Sequence, residues 1–420
     1  MACRSMFSRR KHSVGGGGQR PLRVLHVVEN TPFPTDIRVR SECETLAREG
    51  WDVTVISPKG KHGDKSAFED VNGIKVFRYE PRPASGGVAS YLVEYGWAYS
   101  HIAWIGARLA RDQPFDVVHA ANPPDGLFVP LLWLHVRGTR FIFDQHDLVP
   151  EMSMSRFGTG TTTTYRVACA TERLAYRLAD VVLVPNRSYE AVALSRGRKR
   201  PEDIFVVRNG PMKGFRKSAP DATLRRHKPH LIVYVGAMGT QDGVDHAVRA
   251  LSLLHKRRSD WHAIFAGDGE ARRSVEELAH SEGIASCVEF AGFIRDFDAV
   301  RSLISSADVC LAPEPLTPYN DKSTMIKILE YMALERPTVA YDLTESRYSA
   351  GPSALYARPN DPSAFANYIH ELLDDPPRRA EMGALGRARI ENEFGWHHSE
   401  RNLLAAYERA LEHASATRGT

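Results

Sequence analysis

The stretch NDKSTMIKILEYMALERPTVAYD, residues 320–342, predicts an amphipathic helix that leads directly into a short strand. Its apolar side chains recur at spacings of three and four. One face of the helix is therefore expected to be buried, and it carries Met325, Ile328, Leu329 and Met332. Lys327 and Glu330 lie on another face. Their spacing alone leaves two interpretations open: a solvated ion pair, or two side chains that bind a ligand.

Short β-branched runs alternate with helical stretches on both sides of this segment, which predicts an α/β fold with doubly wound parallel sheets. Each run stops at polar, Gly or Pro residues, as buried parallel strands do. The predicted strands of the first half are 22–30, 51–58, 115–122, 140–147, 180–186 and 204–210. Those of the second half are 230–238, 261–269, 287–293, 307–314, 337–342 and 354–361.

The alternation begins a second time after a Gly- and Pro-containing linker at 208–220. Two Rossmann-like halves in tandem face a central cleft, because open α/β sheets bind ligands at the carboxyl ends of their strands. We expect four parts along the chain. They are a disordered basic tail at 1–20, an N-terminal Rossmann-like domain at 21–210, a C-terminal Rossmann-like domain at 211–390, and a helix at 391–420 that packs back towards the N-terminal domain.

The composition is that of a soluble globular protein, with 43% hydrophobic and 25% charged residues among 420. A formal charge of +4 is too small to indicate a nucleic-acid partner. Five cysteines without metal-ligand spacing and the lack of a long apolar run favour a cytoplasmic location. The basic tail and the aromatic helix expected at 90–112 leave a peripheral membrane contact open, although a packed surface helix is favoured for the latter.

Several quoted segments together resemble one family. They are FDVVHAANPPDGLF (115–128), RFIFDQHDLVPEM (140–152), VVRNGP (206–211), YVGAMGTQDGVDHAVRAL (234–251) and STMIKILEYMALERPTVAYDLTESRYSAG (323–351). The chain is similar to retaining GT-B glycosyltransferases of glycosyltransferase family 4, in the branch that builds bacterial polysaccharides and O-antigens. The resemblance implies transfer from a nucleotide diphosphate sugar to a glycan or lipid-linked acceptor at the inner face of the plasma membrane. It implies neither a cofactor nor a metal ion.

The same resemblance assigns roles to the opening helix. Glu330 fills the position whose carboxylate accepts hydrogen bonds from the ribose of the donor, and Lys327 would face the diphosphate. Ser323 and Thr324 would add hydroxyl groups near the positive end of the helix. Phe293, at the end of the strand expected at 287–293, completes the donor-binding set.

Three positions depart from the family pattern. Lys322 stands where a Glu commonly meets the donor sugar, eight positions before Glu330. Ala237 and Asp242 stand where many members have Arg and Lys against the diphosphate, and Asp242 would repel phosphate at close range. Ala121–Asn122 replaces a His near the donor sugar.

The loop GAMGTQDG, 236–243, has two interpretations of its own. Gly236 and Gly239 permit a tight turn and a close backbone approach, so that the loop, with Gln241 and Asp242, would line a phosphate pocket. An ordinary strand-to-helix turn explains the same glycines equally well.

Residues 144–151, DQHDLVPE, end a strand of the first half and supply the expected catalytic group. His146 between two aspartates, with Asp147 among them, is expected to orient an acceptor hydroxyl or take its proton, because an ordinary imidazole titrates near pH 6.5. Asn122 is expected to donate a hydrogen bond to the sugar or the acceptor, and Lys327 completes the catalytic set. Two rival functions remain: a GT-B sugar-nucleotide epimerase or phosphorylase, and a catalytically silent nucleotide-sugar-binding scaffold.

Overall fold

The computed structural model describes residues 20–60, 66–83, 88–157, 162–211 and 214–418. The predicted basic tail, apart from Arg20, lies outside the described residues. The linker predicted at 208–220 is described except for residues 212 and 213.

The first domain is built on an eight-stranded sheet. Its strands are β1 (Arg23–Val28), β2 (Asp52–Pro58), β3 (Phe68–Val71), β4 (Ile74–Tyr79), β5 (Val117–Ala121), β6 (Arg140–Asp144), β7 (Val181–Val184) and β8 (Ile204–Val206). They are ordered β3-β4-β2-β1-β5-β6-β7-β8, and every neighbouring pair is parallel except the antiparallel β3–β4 hairpin. The sequence patterns missed this hairpin, because β3 is exposed and charged and has no apolar run.

Among the residues that the structure describes, six α-helices connect these strands. They are α1 (Ile37–Arg48), α2 (Val88–Asp112), α3 (Leu132–Val136), α4 (Val149–Phe157), α5 (Thr162–Leu178) and α6 (Arg187–Ser195). The β-branched strands are buried on both faces, and a separate apolar core lies on each side of the sheet.

The second domain repeats the plan with six parallel strands. They are β9 (His230–Val235), β10 (Trp261–Ala266), β11 (Val288–Gly292), β12 (Val309–Ala312), β13 (Thr338–Tyr341) and β14 (Ala354–Ala357), in the order β11-β10-β9-β12-β13-β14. Its helices are α7 (Val244–His255), α8 (Arg272–Ser281), α9 (Phe297–Ser306), α10 (Ile326–Ala333), α11 (Thr344–Ala350), α12 (Pro362–Asp374) and α13 (Pro376–Arg389). The prediction of two doubly wound α/β units is confirmed.

The last helix returns the chain to the first domain. A π-helical turn at Ile390–Phe394 precedes α14 (Trp396–Arg418), which packs against α1 and against β6, β7 and β8. Its Tyr407 is fully buried, and the hydroxyl group lies 2.8 Å from Nδ1 of His119 on β5 and 3.1 Å from Nε2 of His26 on β1. Helix α14 is therefore part of the first domain's core.

The long helices do not have the character of membrane spans. Across the described residues, none combines the length and the apolar composition that crossing a bilayer requires.

Candidate active site

Helix α10 carries Lys327 into the protein and not towards solvent. Its apolar side chains Ile328, Leu329 and Met332 are fully buried as predicted, and Met325 is the N-cap. Lys327 is only 9% exposed. Its ammonium group donates a hydrogen bond to the carboxylate of Glu314, just after β12, and another to the Tyr234 hydroxyl at 3.0 Å. The interpretation of Lys327 and Glu330 as a solvated ion pair is therefore wrong.

The loop after β9 lies directly on this lysine. A Cβ atom at Gly236 would be 2.8 Å from Cε and 2.9 Å from Nζ of Lys327, so a larger residue there would displace the end of the Lys327 side chain. Burial opposes the charge of Lys327, but the nearby Glu314 carboxylate outweighs it and keeps the pKa of the lysine well above its ordinary value. Lys327 is thus a fixed cation against the glycine loop.

Asp242 closes the same loop. Its Oδ2 accepts the backbone N–H of Gly239 at 2.8 Å, and the carbonyl oxygen of Gln241 accepts from the Asn320 side chain at 2.9 Å. Burial raises the pKa of Asp242, while the charge of Lys327 opposes this rise. These contacts form one cluster at the carboxyl end of β9, which contains Gly236, Gly239, Gln241, Asp242 and Lys327.

Glu330 and Phe293 differ from this cluster in being open to a ligand. Glu330 is half-buried, and burial raises its pKa to about 7, although the charge of Lys327 lowers it. Among the described residues none donates a hydrogen bond to its carboxylate. The ring of Phe293, just after β11, is 63% exposed.

Ser323, Thr324 and Lys322 join the two domains. Ser323 Oγ lies 3.2 Å from the Tyr189 hydroxyl, while the Lys322 carbonyl and Thr324 Oγ1 accept from Asn186 Nδ2 at 2.8 and 2.9 Å. Ser323 and Thr324 lie near the N-terminus of α10, as expected, since they precede its N-cap Met325. Both hydroxyl groups contact the first domain, and their role in donor binding stays a prediction.

His146 faces the cleft from the first domain, and a buried ion pair holds it. Its Nε2 lies 2.5 Å from Asp144 Oδ2, and Asp144 in turn receives two hydrogen bonds from Arg38, at 2.9 and 2.5 Å. Arg38 also donates to the Val207 carbonyl and, at 2.9 Å, to the Asn209 side chain. One guanidinium group therefore links α1, the end of β6 and the segment after β8.

This arrangement fixes the charge of His146. Burial would lower its pKa, but the Asp144 charge and hydrogen bond raise it to about 9, while Asp144 itself has a pKa well below the usual range. An imidazolium ion has no lone pair with which to accept a proton. The Asp144 carboxylate therefore favours a hydrogen-bond-donating form of His146, which fits the expected orienting of an acceptor hydroxyl. The alternative expectation, that His146 takes the proton of that hydroxyl, stays a prediction.

Asn122 is fully used within the protein. Its Nδ2 donates to Asp125 at 2.6 Å and to the Asp147 carbonyl at 2.8 Å, and its Oδ1 accepts the N–H groups of His146 and Asp147 at 2.6 and 3.0 Å. The predicted hydrogen bond from Asn122 to a substrate is not possible in this structure. The residue instead fixes the loop that carries His146 and Asp147.

Asp147 is the point where the domains meet. Its Oδ1 accepts a hydrogen bond from the hydroxyl group of Tyr319, which belongs to the second domain. Burial raises the pKa of Asp147, and the Tyr319 hydrogen bond and the His146 charge oppose the rise. His146 and the 319–324 segment therefore lie on opposite sides of one cleft.

Sequence reasoning missed four residues that shape this cleft: Arg38, Tyr234, Glu314 and Tyr319. Only Glu314 could have been found from the sequence, because it is a charged residue at the end of the apolar strand expected at 307–314. The other three show their roles only through contacts with residues distant in the sequence.

Among the described residues, one cluster contains side chains of the kinds that bind metal ions, and it lies in the interior of the first domain. It consists of His26, Glu42 and His119, all buried. The Tyr407 hydroxyl already bonds both imidazoles, and Arg38 Nε lies 3.3 Å from Glu42. The group belongs to the polar network behind Asp144.

We predict that Lys327→Met destabilises the fold by about 3–5 kcal/mol, because it leaves Glu314 buried without its partner. The double variant Lys327→Met/Glu314→Gln should recover most of this loss. Urea unfolding measures both. Equal losses in the single and the double variant would show that the ion pair is not what the buried lysine supports.

We predict a pH dependence of stability that originates in His146. Its pKa of about 9 in the folded state lies above the ordinary 6.5, so its contribution is complete below pH 6.5 and is lost as the pH rises through 9. Each unit by which the pKa is raised corresponds to roughly 1.4 kcal/mol. The unfolding free energy of the native protein should fall across this window relative to His146→Gln. Parallel curves for the two proteins would contradict the raised pKa.

Both halves of the chain match models of glycosyltransferase families. Residues 36–210 match the model described as a glycosyl transferase 4-like domain, and residues 229–375 match the model described as glycosyl transferases group 1. These two segments contain the residues of the cleft described above.

Individual relatives agree with the family models. The alpha-D-kanosaminyltransferase of Streptomyces kanamyceticus is 30% identical over 306 residues, which cover 68% of this chain and 76% of that protein. A GDP-mannose-dependent alpha-(1-6)-phosphatidylinositol dimannoside mannosyltransferase of Mycobacterium tuberculosis is 28% identical, over 56% of this chain and 61% of its own length.

The fold has solved counterparts as well. HepE of Anabaena, in complex with UDP and glucose, superposes with a TM-score of 0.70 and 17% identity, over 92% of this chain and 99% of that one. The motifs, the two parallel-sheet domains and these relatives agree, so the chain belongs to the GT-B glycosyltransferases of the family-4 type and is a glycosyltransferase enzyme.

Proposed function

We propose that this enzyme transfers a sugar from a nucleotide diphosphate sugar to a glycan or lipid-linked acceptor, with retention at the anomeric carbon, in polysaccharide or cell-envelope biosynthesis. The observation that carries the proposal is the pair of fixed cations at the cleft. Lys327 lies against the glycine loop of the second domain, and His146 lies on the first domain beside the contact with Tyr319.

The second domain is the proposed donor site. Lys327 supports the charge that develops on the departing diphosphate, in a setting where water competes poorly. Glu330 accepts hydrogen bonds from the ribose hydroxyl groups, and the exposed ring of Phe293 contacts the nucleotide. UDP is a reasonable first nucleotide to test, because HepE was solved with UDP and glucose.

In the proposed reaction, the departing diphosphate of the donor receives the proton of the acceptor hydroxyl. The bond between the anomeric carbon and the phosphate oxygen breaks, and the diphosphate takes the electron pair. The acceptor oxygen forms the new bond on the same face, and its proton passes to the departing phosphate. The family resemblance implies this assignment, and the ion pair with Asp144, which favours the protonated form of His146, supports it. Hydrogen-bond donation from His146 then orients the substrate.

We also propose that the reaction requires no cofactor or metal ion. The two carboxylates next to the glycine loop already have protein partners: Asp242 bonds Gly239, and Glu314 bonds Lys327. Activity that survives EDTA would support this point, and activity restored only by a divalent cation would contradict it.

The rival functions differ in what they consume. Purified protein is incubated with UDP-, GDP-, ADP- and dTDP-sugars, and the free nucleotide is measured with and without methyl glycosides as acceptors. Acceptor-dependent nucleotide release identifies a transferase, and an isomerised donor with no net release identifies an epimerase. Binding without either reaction identifies a silent scaffold.

We predict that Glu330→Gln lowers the affinity for the nucleotide by about 1–3 kcal/mol, because the amide replaces an ionic acceptor of two ribose hydroxyl groups. Isothermal titration with UDP and GDP measures the change. Glu381→Gln, at an exposed position of α13, is the matched control and should bind normally. Unchanged nucleotide affinity in Glu330→Gln would remove Glu330 from the donor site.

A cytoplasmic enzyme in peripheral contact with the membrane is also part of the proposal. Exposed Trp104, Arg108 and Arg111 follow one face of α2. Trp133 of α3 and Arg137, the C-cap of α3, lie beside the end of α2. Aromatic and basic side chains on one surface suit the headgroup region of an anionic bilayer. The mannosyltransferase relative, whose name specifies a phosphatidylinositol dimannoside, is consistent with a lipid-linked acceptor.

We predict that the protein floats with vesicles containing one third phosphatidylglycerol and that Arg108→Ser/Arg111→Ser weakens this binding several-fold. Arg273→Ser, an exposed arginine of α8, serves as the control. Binding that survives high salt would contradict a mainly electrostatic contact.

A further inference from the structure

Asp36, directly before α1, has one carboxylate oxygen engaged and one turned towards His146. As the N-cap, its Oδ1 accepts the backbone N–H groups of Arg38 and Val39 at 3.0 and 3.1 Å. Its Oδ2 lies 4.0 Å from Nδ1 of His146, which is too far for a hydrogen bond. Within the described part of the chain, no group donates a hydrogen bond to this oxygen.

The other side of the imidazole ring explains why this gap is fixed. His146 Nε2 is held by Asp144, and Asp144 is held by Arg38, so the ring cannot turn without breaking a buried ion pair. Nδ1–H therefore points to Asp36. The Asp36 and His146 side chains remain 13% and 12% exposed, which leaves the space between them accessible.

We propose that Asp36 Oδ2 and His146 Nδ1 together bind one hydroxyl group of the acceptor, which makes Asp36 a further acceptor-binding residue. This inference rests on the proposed function. A hydroxyl oxygen about 2.8 Å from each atom bridges a separation of 4.0 Å, with its hydrogen directed at Asp36 and a lone pair directed at His146.

The chemistry of the pair selects the type of group that binds. A hydroxyl group satisfies both partners because it donates and accepts at once. A phosphate or carboxylate would be repelled by Asp36, and an ammonium group would be repelled by His146. The site therefore suits a neutral, hydroxyl-bearing part of the acceptor.

The bound hydroxyl is an anchoring group and not the nucleophile. Its hydrogen is used by Asp36, whereas the attacking hydroxyl gives its proton to the departing phosphate. Asp147 and the Tyr319 hydroxyl lie next to this pair at the domain boundary. The anchor thus places a neighbouring hydroxyl of the same sugar towards the donor domain.

The test is Asp36→Asn, which is nearly isosteric. The amide oxygen still caps α1, since Asn is as good an N-cap as Asp, while the group that faces His146 becomes an N–H donor. The control is Asp296→Asn at the N-cap of α9, where the same substitution meets no imidazole. Both variants should keep the thermal stability and the UDP affinity of the native protein.

The activity assay compares two kinds of acceptor for the same donor sugar: a methyl glycoside and water. With methyl α- and β-glycosides of glucose, galactose, mannose and N-acetylglucosamine, Asp36→Asn should raise the acceptor KM at least tenfold. Hydrolysis, in which water is the acceptor, should change less than twofold. An unchanged KM overturns the inference, as does an equal loss of transfer and hydrolysis, which indicates a general structural role.

A second measurement does not depend on turnover. In ¹⁵N NMR of the histidine side chains with UDP present, a methyl glycoside that binds should shift Nδ1 of His146 in the native protein and not in Asp36→Asn. An equal shift in both proteins also overturns the inference. A native protein that neither hydrolyses nor transfers from any donor sugar identifies a failure of the proposed function instead.

Discussion

The buried ion pair between Arg38 and Asp144 holds the first domain's half of the cleft together. Both side chains are almost fully shielded from water, and removing one partner from such a pair typically costs about 3–5 kcal/mol. The same guanidinium reaches the segment after β8, where the chain leaves the first domain. The position of His146 therefore depends on α1, on β6 and on the start of the interdomain linker at once.

The position of His146 also depends on the C-terminal helix α14. Asp144 Oδ2 lies 3.4 Å from Nε2 of His119, whose Nδ1 bonds the hydroxyl group of Tyr407 on α14. A helix that follows the entire second domain in the sequence thus completes the polar network behind His146. His26, His119 and Tyr407 are buried and cannot form hydrogen bonds with water. Each side chain therefore needs a hydrogen-bond partner within the protein. The two domains are consequently linked by packing as well as by the chain.

The sequence predicted what depends on local patterns. Apolar runs located both sheets. The Lys327 side chain lies close to the backbone at Gly236, and the phosphate-binding role expected of the glycines of 236–243 stays a prediction. The failures concern partners distant in the sequence. The spacing of Lys327 and Glu330 leaves a solvated ion pair open because Glu314 lies outside their helix. Asn122 is predicted to bind a substrate because its four hydrogen bonds reach residues up to 25 positions away in the sequence. For His146, the sequence does not show that Arg38 fixes Asp144 beside the imidazole, so the two expected roles, orienting the acceptor hydroxyl and taking its proton, stay predictions.

The two sides of the cleft carry the same arrangement of charges. Each presents a cation, His146 or Lys327, whose charge is held by a buried carboxylate, Asp144 or Glu314. Folding already orients these charged groups. The protein therefore needs little rearrangement of them when charge develops on a substrate. The pairs belong to different domains, and Tyr319 bridges them through Asp147. Alignment of the two cations therefore depends on the contact between the domains, and a change at this bridge acts on both sides of the site.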